Sequence, residues 1–263
     1  MLTANSILVD GKRLATKLSA NTDFVLGINE CNKLSSQYEA MLCSVKKEAG
    51  PVTATGLRKA DTIYQKLQMA NWKSAQCIFR LTGAAHGYPI KLKIEHQEAS
   101  AIRQWCSEFE HMICRAPVPA NLVVKHVTAN GHSKSFPRAY YDSLQNTAYL
   151  PDNASRSILW HKLGHYLEHK TPGLQEAAEE YLASRTANAE AKKLGPGYML
   201  AEKVKEADFI HPYFGKIYSD GGTEILAMGI QFMTEAPSKL WLEDREMFEF
   251  TLGSINAARG ASQ

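Results

Sequence analysis

The chain has 263 residues, 44% hydrophobic and 22% charged, with a formal net charge of +3. That is the composition of a soluble globular protein able to bury a full core, as one large domain or two modest ones. The small, interspersed charge argues for no nucleic-acid partner, and no run approaches the ~20 apolar residues that would call for a membrane span.

The sequence opens on one short apolar run, Ile7-Leu8-Val9, with no signal-peptide core. Five cysteines, Cys31, Cys43, Cys77, Cys106 and Cys114, are scattered without a CxxC pair. An odd, unpaired set predicts reduced thiols packed as small hydrophobes, in a cytoplasm-like compartment.

In chain order, residues 24–47 carry Val25, Ile28, Leu34, Tyr38, Met41 and Leu42 at a rough 3.6-residue period and predict a helix, stopped by Gly50-Pro51. A second helix follows over 57–69 through Leu57, Ala60, Ile63, Tyr64 and Leu67. Residues 77–81 and 90–94 are short β-prone runs around a turn region at 83–89, which predicts a hairpin. Residues 98–114 read as an amphipathic helix with Ile102, Trp105, Phe109, Met112 and Ile113 inward. Ala116-Pro117-Val118-Pro119 then stops it and marks a candidate boundary between a mainly helical region, 1–117, and a domain at 118–263.

Past that point 122–127 is a β-branched strand, and 138–150 gives two short strands around Ser143-Leu144-Gln145-Asn146. Asp152, Asn153 or Ser155 can cap the next helix, which Pro172-Gly173 closes. Helices are expected at 174–193, ended by Gly195-Pro196-Gly197, at 223–233 with Thr223 as N-cap, and at 241–258 with Met247, Phe250 and Ile255 inward.

The chemistry concentrates in residues 158–169, Ile-Leu-Trp-His-Lys-Leu-Gly-His-Tyr-Leu-Glu-His, an HExxH zinc-protease helix with lysine in the glutamate position. His161 and His165 are four apart, so their imidazoles leave one helical face together and can share a metal ion. Such a pair also occurs as surface or core histidines. A catalytic zinc needs a third protein ligand, and Glu224, in Gly-Gly-Thr-Glu-Ile-Leu-Ala-Met-Gly at the start of a later helix, is the candidate.

Strand pair, capped HxxGH helix and Thr-Glu helix follow the zincin order. The stretches AYYDSLQNTAYLP, ILWHKLGHYLEH, HPYFGKIYSDGGTEILAMGIQFM and REMFEFTLGSI resemble gluzincin-type metallopeptidase domains of bacteriophage and prophage proteins, from about Arg138 onward. The resemblance implies zinc held by His161, His165 and Glu224. It puts the family's general-base glutamate at Lys162, so that role does not carry over, and it does not reach residues before about 117.

A protonated lysine has donors and no acceptor, so Lys162 cannot take a proton from water, and its charge opposes a nearby metal. Losing a general base costs roughly 10²–10⁴-fold in rate. The leading expectation is a degenerate zincin-like protein of phage or prophage type. It would serve binding or assembly, with a protein or peptide partner or particle or secretion-like subunits. The alternatives are an active zinc-dependent hydrolase using a neutral Lys162 or another group as base, and a peptidase silenced by replacing its glutamate.

Around the centre, Glu168 is weighed as a support for a ligand imidazole or as a solvated or capping residue, and His169 as exposed. Tyr218 and Tyr213 are weighed as oxyanion stabilisers or loop packing, and His211 as a residue whose direction is open. His86, His96, His111, His126 and His132, the last in the Asn130-Gly131-His132 turn, lack ligand spacing, and no phosphate loop or GxSxG is present. The fold expectation is α+β: a helical N-terminal region, then a zincin-like domain with a small antiparallel or mixed strand layer and two metal-site helices.

Overall fold

A computed structural model describes residues 2–47, 54–81, 87–127, 138–194, 202–218 and 222–261. The architecture is α+β. Its elements are α1 (Ala4–Ser19), α2 (Thr22–Lys47), α3 (Ala54–Leu81), β1 (Lys91–Glu95), α4 (Ala99–Met112), β2 (Asn121–His126), β3 (Tyr140–Asp142), β4 (Thr147–Leu150), α5 (Arg156–Lys170), α6 (Leu174–Arg185), β5 (Ala191–Lys193), β6 (Lys203–Lys205), β7 (Lys216–Ile217), α7 (Ile225–Glu235), α8 (Pro237–Glu243) and α9 (Arg245–Gly260).

One sheet has the order β1-β2-β4-β3, with β1, β2 and β4 parallel and β3 antiparallel at the edge. The β3–β4 pair turns at the anticipated Ser143–Asn146 segment, where Asn146 takes φ 48° and Asp142 accepts from the backbone N–H groups of Leu144 and Gln145. A second, antiparallel sheet joins β5, β6 and β7.

Helix α5 is buried on almost every side, including Leu159, Trp160, Leu163, Gly164, Tyr166 and Leu167. Trp160 lies 5.7 Å from Trp72, 6.3 Å from Phe79 and 5.7 Å from Phe109 between ring centroids, and its indole N–H donates to the Trp105 carbonyl. Ser155 caps α5 by accepting from the Ile158 N–H.

Several expectations are corrected. Residues 77–81 are the end of α3, where Ile78 and Phe79 are buried, Phe79 against Trp160 of α5, and β1 pairs in parallel with β2, so no hairpin forms. The expected helix over 174–193 ends at Arg185, where the Thr186 hydroxyl donates to the Leu182 carbonyl, and 191–193 form β5. The expected helix over 241–258 is divided at Asp244, whose carboxylate accepts the Met247 N–H and starts α9. Helix α1, not anticipated, begins with a reciprocal Thr3–Ser6 cap.

The Ala116–Pro119 stop ends α4 without separating two cores: β1 and β2 flank it as neighbours in one sheet, and one buried cluster runs from Ala4 to Ala258. Cys31, Cys106 and Cys114 are buried, but Cys43 is exposed and Cys77 half-buried; all five are free thiols. Gly50-Pro51, most of the 83–89 turn with His86, Asn130-Gly131-His132, Gly195-Pro196-Gly197 and Gly221 lie outside the described residues. No described helix is long and apolar enough to cross a membrane.

Candidate metal centre

Helix α5 crosses α7 at Gly164, where an added Cβ would lie 2.6 Å from the Ala227 Cα. Only a glycine lets the two backbones come that close, and this contact brings Glu224, the residue preceding α7, over the face of α5 bearing both histidines. The Glu224 Oε2 atom lies 3.0 Å from His161 Nε2 and 3.2 Å from His165 Nε2. One ligand atom from each of the three residues falls within 4.8 Å of the others, so His161, His165 and Glu224 form a buried group able to hold a metal ion.

The protonation states suit that task. The amide nitrogen of Gln231 donates to Glu235, which turns its oxygen toward His161 Nδ1 at 2.9 Å. His161 therefore carries its proton on Nδ1, and Nε2 presents a lone pair to Glu224. Burial first, then the Lys162 charge, pushes His161 down to about 4, against the pull of Glu224, so the ring is neutral at neutral pH. Burial alone would raise the Glu224 carboxyl, but the positive charge that His165 and His161 carry when protonated, and the hydrogen bonds they then donate, outweigh it and hold the group well below the usual range.

Among the described residues no hydrogen bond reaches the fully buried Glu224 Oε2. With its proton on Nδ1, His161 Nε2 and the carboxylate oxygen are a pair of acceptors, which repel unless a proton or a cation lies between them. For bonds of ~2.0–2.1 Å in a tetrahedral shell, ligand atoms sit roughly 3.3 Å apart, close to the observed separations. The donor set fits a divalent metal.

Supporting side chains settle several earlier alternatives. The Tyr218 hydroxyl donates to Glu224 Oε1, which makes it a positioning contact for the carboxylate and not a free oxyanion donor. Glu168 is buried, neither solvated nor bonded to a ligand histidine, and accepts from the Thr223 backbone N–H at 3.1 Å and hydroxyl at 2.9 Å. Thr223 in turn accepts the Ile225 N–H at 3.2 Å, but it stands one residue before the N-cap of α7, which is Glu224 and not Thr223 as expected. Burial pushes Glu168 up to about 8, the Thr223 bonds oppose this, and Glu224 adds to it.

His211 accepts the Tyr213 N–H and lies against Phe232, and His169 is exposed. The Tyr213 hydroxyl accepts from Lys216 at 3.2 Å and Arg138 at 3.4 Å, and both cations pair with Glu202.

Lys162 is buried beside His161. Burial pushes its ammonium down to about 8; Glu224 opposes this, and Lys216 and Arg138 reinforce it. Gln231 and Glu235 were missed by sequence reasoning, although Gln231 follows Glu224 by seven residues, two helical turns on the same face. No family model matches the chain, and neither do any curated proteins or solved structures.

Proposed function

We propose that the chain binds Zn²⁺ through His161, His165 and Glu224 in a zincin-type centre whose general base has been lost, and that it works in binding or assembly. The observation that carries the reading is the buried Glu224 Oε2, unbonded and facing two imidazole nitrogens at 3.0 and 3.2 Å. Zinc in such a site acidifies water and polarises carbonyls. Hydrolysis also needs an acceptor for the water's proton. The Lys162 ammonium has none, and Glu168, the next carboxyl along α5, is engaged by Thr223. A protein or peptide partner, within a phage-type particle or secretion-like assembly, is the part of the proposal drawn from the resemblance.

A second reading, an active zinc hydrolase, is favoured by the depression of Lys162 to about 8, since a neutral amine can accept a proton. Metal analysis and a peptide library separate the two. The expected result is one zinc per chain, lost in His161→Ala and Glu224→Ala, no chelator-sensitive cleavage by the starting protein, and cleavage gained in Lys162→Glu. Chelator-sensitive cleavage by the starting protein that rises through pH 8 establishes the hydrolase instead.

A further inference from the structure

Lys162 is only 8% exposed, and among the described residues its ammonium makes no hydrogen bond or ion pair. The side chain is buried almost to its tip and only the nitrogen end is left open, so a charge is carried into a confined place where leucine or methionine would fill the same volume without it. Packing therefore does not account for it. The carboxylate it feels, Glu224, faces both imidazoles through one oxygen and accepts from Tyr218 through the other. The other cations near it, Lys216 and Arg138, are held in place by Glu202 at 2.9 and 3.2 Å and by the Tyr213 hydroxyl. Lys216 also lies over the rings of Tyr213 and Tyr218. Lys162 follows His161 directly on α5 and stands one turn before His165, and among these cations it is the one whose donors are uncommitted.

We propose that the ligand of this centre carries an anionic oxygen, from a carboxylate or a phosphate group, and that the Lys162 ammonium pairs with it beside His161, His165 and Glu224. The assignment rests on the metal-centre reading and adds to it the class of ligand. The anion supplies the counter-charge that the fold does not, and the positive potential of Lys216 and Arg138 favours its entry. A carboxylate would come from an acidic side chain or chain terminus of a protein, a phosphate from a free or esterified phosphoryl group.

Cobalt substitution tests this without any assay of activity. The protein is loaded with Co²⁺, its metal content is measured, and its visible absorption is followed as inorganic phosphate and, separately, acetate are added. The same titrations are run on Lys162→Met and Lys162→Arg. All three forms are expected to take one Co²⁺. The starting protein's spectrum shifts with at least one anion, the half-saturating concentration rises about tenfold in Lys162→Met, and Lys162→Arg keeps the response. The anion that acts identifies the source. Circular dichroism verifies that the variants fold, and Lys162→Gln repeats the measurement if Lys162→Met does not. Failure of the starting protein to take metal overturns the metal-centre reading and this assignment with it. A loaded protein whose spectrum ignores both anions, or a Lys162→Met form that responds at the starting protein's concentrations, overturns the anion assignment alone.

Discussion

Which nitrogen of His161 carries the proton is decided outside the ligand set. Glu235 fixes the amide of Gln231, Gln231 accepts from His161 Nδ1, and Nε2 is left with its lone pair facing Glu224. Replacing Gln231 by leucine keeps the volume of the side chain roughly constant and removes the acceptor. The imidazole can then place its proton on Nε2 and hydrogen-bond Glu224, a tautomer that must be undone before a metal binds. Metal affinity in Gln231→Leu is therefore expected to fall roughly 10–100-fold with the fold retained, measured by competition against a chromophoric chelator. Unchanged affinity would mean that the relay is ornamental. The two candidate ligand histidines were legible in the sequence, because four-residue spacing on a helix is a local property, and Glu224 was legible through the Thr-Glu helix start and the resemblance. Gln231, Glu235 and the roles of Tyr218 and Glu168 were not, because each is defined by a partner that only the α5–α7 crossing brings near.

At the scale of elements, the centre depends on how closely α5 and α7 approach. Gly164 is the contact: a Cβ there would meet the Ala227 Cα at 2.6 Å and its backbone nitrogen at 3.1 Å. A backbone neighbour cannot swing aside as a side-chain tip can, so Gly164→Ala must push the helices apart or tilt them. The expected cost is about 1–3 kcal/mol in denaturant unfolding, with a larger proportional loss of metal binding, since Glu224 moves with α7. A variant that keeps full metal affinity would show that the ligand set does not depend on this crossing.

The second tie between the two helices is Glu168, which holds Thr223 at the start of α7. Its carboxyl is raised to about 8 against an ordinary 4.5. Below pH 4.5 both folded and unfolded chains hold the proton and the contribution is fully present. Between 4.5 and 8 the folded chain binds the proton more tightly, so stability from this group declines as pH rises and is lost above 8. Glu168→Gln keeps an acceptor for Thr223 and has no charge to bury. Its urea midpoint, compared with that of the starting protein, should gain steadily from pH 4.5 to pH 8; a constant difference across that range would show that Glu168 does not titrate in the fold.

For the whole molecule, the Pro-rich stop at 116–119 suggested a boundary because a composition shift is visible locally, whereas the contacts that cross it are not. Helix α1 was overlooked for a related reason. Ile7, Leu14, Ala15 and Leu18 do follow a helical period, but Gly11 interrupts it, and that glycine is explained only by α9, since its Cβ would lie 1.8 Å from the Glu249 carbonyl oxygen. Gly253 makes the reciprocal approach, its Cβ falling 2.1 Å from the Ile7 carbonyl oxygen. The same pattern recurs across the chain: Phe24 of α2 meets Trp241 of α8 at 4.7 Å between centroids, and Asn71 of α3 donates to the Glu235 carbonyl at the end of α7. A fragment of residues 118–263 would lose β1 from the edge of the sheet, the α1 partner of α9 and the Trp72, Phe79 and Phe109 surround of Trp160. Burying an aromatic of this size contributes about 3–5 kcal/mol when its surroundings are intact, a large share of a typical domain's stability. The fragment is accordingly expected to lack a cooperative thermal transition and to take up no stoichiometric metal, while the full chain unfolds in a single step. A fragment that melted cooperatively and held one zinc would show that the metal-bearing half folds alone, and that residues 1–117 are an attachment to it.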